Sequence, residues 1–243
     1  MHRFYCLSQN INGDQVSIED KRQLHHARDV LRLKRNEEVI IFDAEGNEYV
    51  SLVREITNKR MLLEIKNKRL PRISKVKITV ACAIPKKSKF DDIVDKLTQL
   101  GVERIIPVLT ERVIVRWDKE KRMLEQKRWE KITLCASQQS QRSTLPIIEP
   151  TKDIRGVLSE SAGFDLKLIP TLIGKRKSLK EIFAQFKPQN ILVFIGPEGD
   201  FTWQEVALAK KAGCIPVSLG DLVLRVETAA VAVASFIRLY ADN

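Results

Sequence analysis

Two stretches place glycines, acids and backbone amides at spacings that could surround a small molecule. They are Ile195-Gly-Pro-Glu-Gly-Asp-Phe201 and Ser218-Leu-Gly-Asp-Leu-Val-Leu-Arg-Val-Glu-Thr-Ala-Ala230. Each follows an apolar run, Ile191–Ile195 or Ile215–Leu219, that reads as a buried strand. Pro197 removes a donor, while Gly196 and Gly199 let the backbone approach a ligand closely. Thr202-Trp-Gln-Glu205 fits a capping box, with Phe201 and Val206 where a hydrophobic staple belongs, so the first loop ends at a helix N-terminus. In open α/β sheets ligands bind at such strand ends. Spacing alone leaves open a ligand-binding edge or two ordinary turns with Thr228 as a cap.

Other chemistries are missing. G-x-G-x-x-G, G-x-x-x-x-G-K-[ST], G-x-S-x-G and H-E-x-x-H are all absent. The three histidines, His2, His25 and His26, lie near the N-terminus, which excludes a histidine triad in the later part of the chain. Cys6, Cys82, Cys135 and Cys214 form no C-x-x-C pair. That predicts reduced thiols in a cytoplasmic protein, and neither a metal site nor a disulfide framework. No apolar run approaches the roughly 18 residues of a membrane helix, and the first residues do not read as a signal peptide. No membrane association is expected.

The elements that would position the two loops divide near residue 70. Before it, Gln23–Leu33 reads as a helix, and Glu37–Phe42, Glu48–Ile56 and Arg60–Ile65 as strands, with a turn at Asp43-Ala-Glu-Gly46. This pattern predicts a small β-barrel. After it, Val76–Ile84, Ile105–Leu109, Leu166–Pro170, Ile191–Ile195 and Ile215–Leu219 read as strands. They alternate with helices: Phe90, Ile93, Val94 and Leu97 on one that Gly101 ends, Lys119–Gln141, and Thr228–Tyr240. Alternation of this kind predicts an α/β fold with a mostly parallel sheet buried on both faces. The two parts are expected over 1–70 and 74–243.

The chain has 243 residues and a net charge of +11, with 44% hydrophobic and 30% charged residues, a globular balance. Between Lys59 and Lys89 eleven basic residues face one acid, Glu64. Such a stripe suits either a solvated strand edge or a surface for nucleic-acid phosphates. Aromatic residues are 6% of the chain and do not interleave with the stripe, so stacking on single-stranded bases is not written there.

Together the two loops resemble the signature motifs of the RsmE-type 16S ribosomal RNA uridine-N3 methyltransferases of the SPOUT superfamily. The family pattern I-G-P-E-G-G/D-h-[ST]-x-x-E matches Ile195 to Gly199, Asp200, Phe201, Thr202 and Glu205. The pattern S-L-G-x-x-h-L-R-x-E-T-A matches Ser218, Leu219, Gly220, Leu224, Arg225, Glu227, Thr228 and Ala229. Further matches are Lys96–Val102, Thr110-Glu-Arg112, Ser137–Arg142, His26, Val30-Leu-Arg32 and Asp43–Gly46, so the resemblance covers nearly the whole chain. Gln138 stands where the family usually has an acid, Asp221-Leu222 where it has Pro-Arg, Val226 where it has Thr, and Asn36 where it has Gly.

The resemblance implies a PUA-like RNA-binding β-barrel followed by a trefoil-knotted SPOUT domain with helices on both faces, working as a homodimer on 16S rRNA of the small ribosomal subunit. It implies S-adenosylmethionine held by Ile195, Gly196, Pro197, Glu198 and Gly199, by Ser218, Leu219, Gly220, Leu224 and Arg225, and by Glu227, Thr228 and Ala229. Thr171 and Leu172 form a third wall. Arg225 is the expected stabiliser of negative charge on the uracil oxygens or a phosphate contact, and Glu198 the expected catalytic carboxylate, with Glu227 as the other candidate base if burial raises it; both carboxylates could instead bind loop amides and shape the pocket. Arg225 could instead buttress its loop against Glu198 or Glu227. Arg32, Lys86, Lys87, Lys89 and Arg142 are the expected RNA contacts. The alternatives are a SPOUT methyltransferase acting on another RNA, or an RNA-binding assembly factor without catalysis.

Overall fold

A computed structural model of the chain describes residues 1–70, 74–86, 89–113 and 117–241. The chain divides into two compact units, Met1–Ile73 with Ser137–Leu145, and Ser74–Ala136 with Pro146–Asn243. In the first unit the strands are β1 (His2–Tyr5), β2 (Ile11–Asn12), β3 (Gln15–Ile18), β4 (Glu38–Phe42), β5 (Glu48–Ile56) and β6 (Met61–Arg69), with helix α1 (Lys21–His25) between β3 and β4. They form one six-stranded sheet in the order β1-β4-β5-β6-β3-β2. β1 and β4 run parallel and the other pairs antiparallel. Alternate residues Val39 and Ile41, and Met61 and Leu63, point to a core that also takes Phe4, Val16, Leu24 and Ala27.

The helix expected over Gln23–Leu33 is shorter. After α1 the amide of Leu31 reaches back five residues to His26 at 2.8 Å, so His26–Val30 forms a wider turn. Arg32 follows at φ +54. Ser137–Leu145 belongs with this unit, although the sequence places it in the second part. The Gln138 amide donates to Gln23 Oε1 at 3.0 Å, and Arg3 bonds both Ser143 at 2.8 Å and Glu48 at 2.7 Å. Gln23 in turn exchanges two hydrogen bonds with the Tyr5 backbone. A carboxylate at position 138 would face the Gln23 carbonyl oxygen with no proton to share, so the amide here matches its neighbour.

Asp43, 1% exposed, closes the β4–β5 turn. It accepts from the Asn47 amide at 2.9 Å, Asn47 Nδ2 at 2.8 Å and the Tyr49 hydroxyl at 3.0 Å. Burial pushes its carboxyl up, but the Asn47 and Tyr49 hydrogen bonds outweigh this and hold it below its usual value. A depressed folded value makes this stabilisation complete above about pH 4, where the unfolded carboxyl titrates, and lost as pH falls through the folded value. Asp43→Asn is therefore expected to cost ~1–3 kcal/mol at pH 7, with the difference from the wild type shrinking below pH 4 in urea unfolding.

The second unit holds β7 (Lys77–Ala83), α2 (Lys89–Gln99), β8 (Arg104–Leu109), most of α3 (Lys119–Gln139), β9 (Ile147–Ile148), β10 (Lys152–Asp153) and α4 (Ile154–Ser159). It continues with β11 (Leu166–Pro170), β12 (Lys177–Ser178), α5 (Leu179–Gln185), β13 (Asn190–Ile195), α6 (Trp203–Lys211), β14 (Ile215–Ser218) and α7 (Val226–Ala241). The eight strands make one sheet, ordered β10-β8-β7-β13-β11-β14-β12 with β9 beside β8, and every pair is parallel. β13 shows why both faces are covered. Ile191, Val193 and Ile195 pack with α2, α5 and α7, while Leu192 and Phe194 pack with α4 and α6. Phe90, Ile93, Val94 and Leu97 of α2 are all buried, each contributing ~1.5–3 kcal/mol.

The capping box on α6 forms as the sequence predicts, with Thr202 accepting from the Glu205 amide at 3.3 Å and Glu205 from the Thr202 amide at 2.8 Å. α7 differs: it starts at Val226, because the Ala229 amide bonds the Arg225 carbonyl at 2.8 Å. Thr228 is thus inside the first turn and not its cap. β14 pairs with β11 on one side and β12 on the other, so the last strand lies between two strands that the chain has already joined through Thr171–Arg176.

Candidate functional site

The C-terminal ends of β13, β11 and β14, neighbours in the sheet, open into a cleft with a volume of about 90 Å³. Parallel strands direct their loops to one edge, and here both singled-out loops meet. The cleft is lined by Ile195, Gly196, Pro197 and Glu198 after β13, and by Leu219, Gly220, Leu224 and Ala229 after β14. Thr171 and Leu172, after β11, supply the third wall.

Five expected residues stand off the lining. A Cβ on Gly199 would meet Arg112 Cδ at 3.4 Å, so that residue faces the β8 side. The Ser218 hydroxyl closes its own turn, donating to the Gly220 carbonyl at 3.1 Å and accepting from its amide at 3.3 Å. Thr228 is on the exposed side of α7, and Glu227 pairs with Lys89 at 3.1 Å. Arg225 lies between the lining residues Leu224 and Val226, with its side chain exposed. Its guanidinium has no hydrogen bond or ion pair among the described residues, and its charge helps to hold the Glu227 carboxyl low without touching it.

Two glycines are required by geometry. A Cβ on Gly196 would lie 3.0 Å from the Phe201 ring, and Gly220 sits at φ +120, where other residues are strained. Asp200, at φ +61, also takes a conformation that favours glycine, which is the family's alternative at this position. Its carboxylate accepts from Thr171 Oγ1 at 2.9 Å and from the Leu172 amide at 2.7 Å through one oxygen, and from the Phe201 amide at 2.8 Å through the other. Asp200 thereby holds the β11 wall against the β13 loop. Sequence reasoning passed over it, although its place in the motif was the available signal. Arg176, which donates to the Thr171 carbonyl at 3.2 Å, was missed as well. So were the lining residues Pro170, Val217, Leu222, Val223 and Val226, of which Leu222 and Val223 are 80% and 72% exposed.

The charges on the cleft differ in what they can do. Burial pushes the Glu227 carboxyl up, but its own amide and the Lys89 ammonium outweigh that and hold it low, so it stays ionised and is a weak base. Glu198 is exposed and accepts from the Lys86 amide at 3.4 Å. Burial pushes the thiol of Cys82 up, as it does Cys6 to about 11 and Cys214 to about 12, which leaves all three as inert protonated thiols. Among the described residues no group of three or more His, Cys, Asp or Glu could hold a metal, and no helix is long and apolar enough to cross a membrane.

The expected RNA contacts fall in both units. Arg32 is exposed, and Arg142 donates through Nε to Thr144 at 3.2 Å, in the first. Lys86 is exposed and Lys89 is the partner of Glu227, in the second. Lys87 and Arg72 lie outside the described residues. Within the basic stripe Lys66 pairs with Glu64, and Lys68 lies 5.5 Å over the Tyr49 ring.

The family model described as an RNA methyltransferase domain matches residues 72–238, and that of an RNA methyltransferase PUA domain matches residues 18–66. The chain is 30% identical to a ribosomal RNA small subunit methyltransferase E of Rickettsia conorii, over 100% of this chain and 97% of the relative. A methyltransferase structure from Legionella pneumophila, solved with the cofactor SAM, superposes with a TM-score of 0.88 at 28% identity, covering 98% and 96% of the two chains. A ribosomal RNA small subunit methyltransferase E from Neisseria gonorrhoeae, bound to S-adenosyl methionine, gives a TM-score of 0.87 at 30% identity, covering 98% and 97%.

Proposed function

Because the chain belongs to the RNA methyltransferase family matched over residues 72–238, we propose that it methylates N3 of one uridine in the 16S rRNA of the small ribosomal subunit, using S-adenosylmethionine. The observation that carries this reading is the cleft where the two signature loops meet, in a fold shared with relatives solved holding that cofactor. The lining fits such a ligand. Ile195, Val217, Leu219, Val226 and Ala229 give an apolar slot for flat and aliphatic parts. Glu198 and Asp200 offer negative charge toward a sulfonium or ammonium, and Arg176 offers a positive one toward a carboxylate.

S-adenosylmethionine supplies, when bound, an electrophilic methyl on a positively charged sulfur. The protein has to align uracil N3 with that methyl and to manage the N3 proton, which is still in place at neutral pH. Glu198, on the cleft, is the carboxylate proposed to accept the proton. Arg225, unpaired and beside the cleft mouth, is proposed to stabilise the negative charge that develops on the uracil oxygens. A base in folded RNA has to be turned out to reach this site. Residues 1–70, joined by Ser137–Leu145, as an RNA-binding PUA-like domain, with Arg32, Arg142, Lys86, Lys87 and Lys89 as phosphate contacts, complete the reading, and the rest of 74–243 is the SPOUT methyltransferase domain.

A trefoil knot in that domain is supported by the seating of β14 between β11 and β12. A homodimer belongs to the same proposal, supported by the apolar Leu239 and Tyr240 that α7 exposes, and a cytoplasmic location follows from the ribosomal RNA substrate proposed. The RNA of a strain lacking this chain tests the substrate. One N3-methyluridine is expected to vanish from 16S rRNA with transfer RNA unchanged, whereas a loss confined to transfer RNA would move the activity to that substrate.

A further inference from the structure

The loop after β13 is held on two sides, and only one of them belongs to the cleft. On the cleft side, Asp200 binds Thr171 and Leu172. On the other, the turn Thr110–Arg112 after β8 reaches it through three contacts. The Arg112 guanidinium donates to the Gly199 carbonyl. The Thr202 hydroxyl donates to the Glu111 carboxylate at 3.0 Å, and the Glu111 amide donates to the buried Glu205 carboxylate at 2.9 Å. β8 is separated from β13 by β7 in the sheet, so this turn arches past one strand end to reach the loop.

We infer that Arg112 and Glu111 are positioning residues for the cleft: they fix the Gly196–Thr202 loop from behind, and so set the shape that receives the cofactor. The physical need is clear from the loop itself. It contains Gly196 and Gly199, which restrict the backbone least, and Asp200 at φ +61. A chain this free to move loses much conformational entropy when it closes on a ligand, and outside contacts that order it in advance reduce that cost. Arg112 binds the carbonyl on the face of Gly199 turned from the cleft, Asp200 anchors the opposite side, and Glu205 ties the loop's end to both the capping box and the β8 turn. Arg112 acts through the Gly199 carbonyl and is not itself on the lining.

The inference rests on the cofactor reading, and the experiment separates the two. Calorimetric titration with S-adenosylmethionine, in the absence of RNA, is made on the wild type, Arg112→Ala, Arg112→Lys and Glu111→Gln. Hydrogen exchange of the Asp200 and Phe201 amides is followed on the same unliganded proteins. Arg112→Ala is expected to weaken binding about five- to tenfold and to speed exchange at both amides, with an unchanged denaturation midpoint. Arg112→Lys, which keeps one donor for the carbonyl, should recover part of both effects. Glu111→Gln, which leaves an acceptor for Thr202, should change them little. Unchanged affinity and exchange in Arg112→Ala, with an altered salt dependence of RNA binding instead, would overturn the positioning role and make Arg112 an RNA contact. Absence of binding in the wild type would overturn the cofactor reading, while the exchange result would still decide whether the turn orders the loop.

Discussion

Ala229→Trp is expected to bind S-adenosylmethionine at least about 100-fold more weakly than the wild type, a loss near 3 kcal/mol. Ala229 is half-buried on the first turn of α7 and lines the cleft. An indole there takes up space in the cleft that Ile195 and Leu219 also line. Ala229 also packs against the edge of the core that Val226, Ala230, Val233, Ala234 and Ile237 carry, so the unfolding midpoint is expected to fall somewhat, and affinity is compared under conditions where the unfolding curve shows the variant folded. Titration calorimetry with a parallel urea unfolding curve reads both. Full affinity in a folded Ala229→Trp protein would put the cofactor elsewhere.

Arg225→Ala is expected to lower kcat by ~10²–10³-fold while leaving cofactor affinity within about twofold. The expectation follows from position: the side chain is exposed, stands off the lining and makes no hydrogen bond or ion pair among the described residues, its one recorded influence being to help keep Glu227 ionised. A charge so lightly engaged in the unliganded protein is free to act where charge develops. Arg225→Lys should restore only part of the rate, since an ammonium keeps the charge but not the planar pair of donors. Single-turnover methyl transfer separates this from weaker RNA binding. A change confined to the KM for RNA would instead make Arg225 a phosphate contact.

Much of this architecture was legible in the chain because its signals were local. The period-3.6 set Phe90, Ile93, Val94 and Leu97, the capping box at Thr202, and the apolar run Ile191–Ile195 each predict an element that forms. What was not legible depends on neighbours distant in sequence. The helices at Ile154–Ser159 and Leu179–Gln185 are too short to show a period, although the second carries a local signal in the capping box of Ser178 and Glu181. Ser137–Leu145 joins the first unit through Gln23, Arg3 and Glu48, more than 90 residues away. The motifs named the loops but not which side each residue faces. Gly199 turns to Arg112, so a large side chain there would press on the β8 turn and not fill the cleft, while Asp200, one residue on, holds the cleft wall.

The central claim is transfer of a methyl to uridine N3 in 16S rRNA. Small ribosomal subunits from the strain lacking this chain are incubated with the purified protein and S-adenosylmethionine carrying an isotopically labelled methyl, and the RNA is digested to nucleosides for mass spectrometry. The account predicts label in N3-methyluridine, at one site in 16S rRNA, and none with the Ala229→Trp protein. Label in another nucleoside, or no label although the cofactor binds, would contradict it.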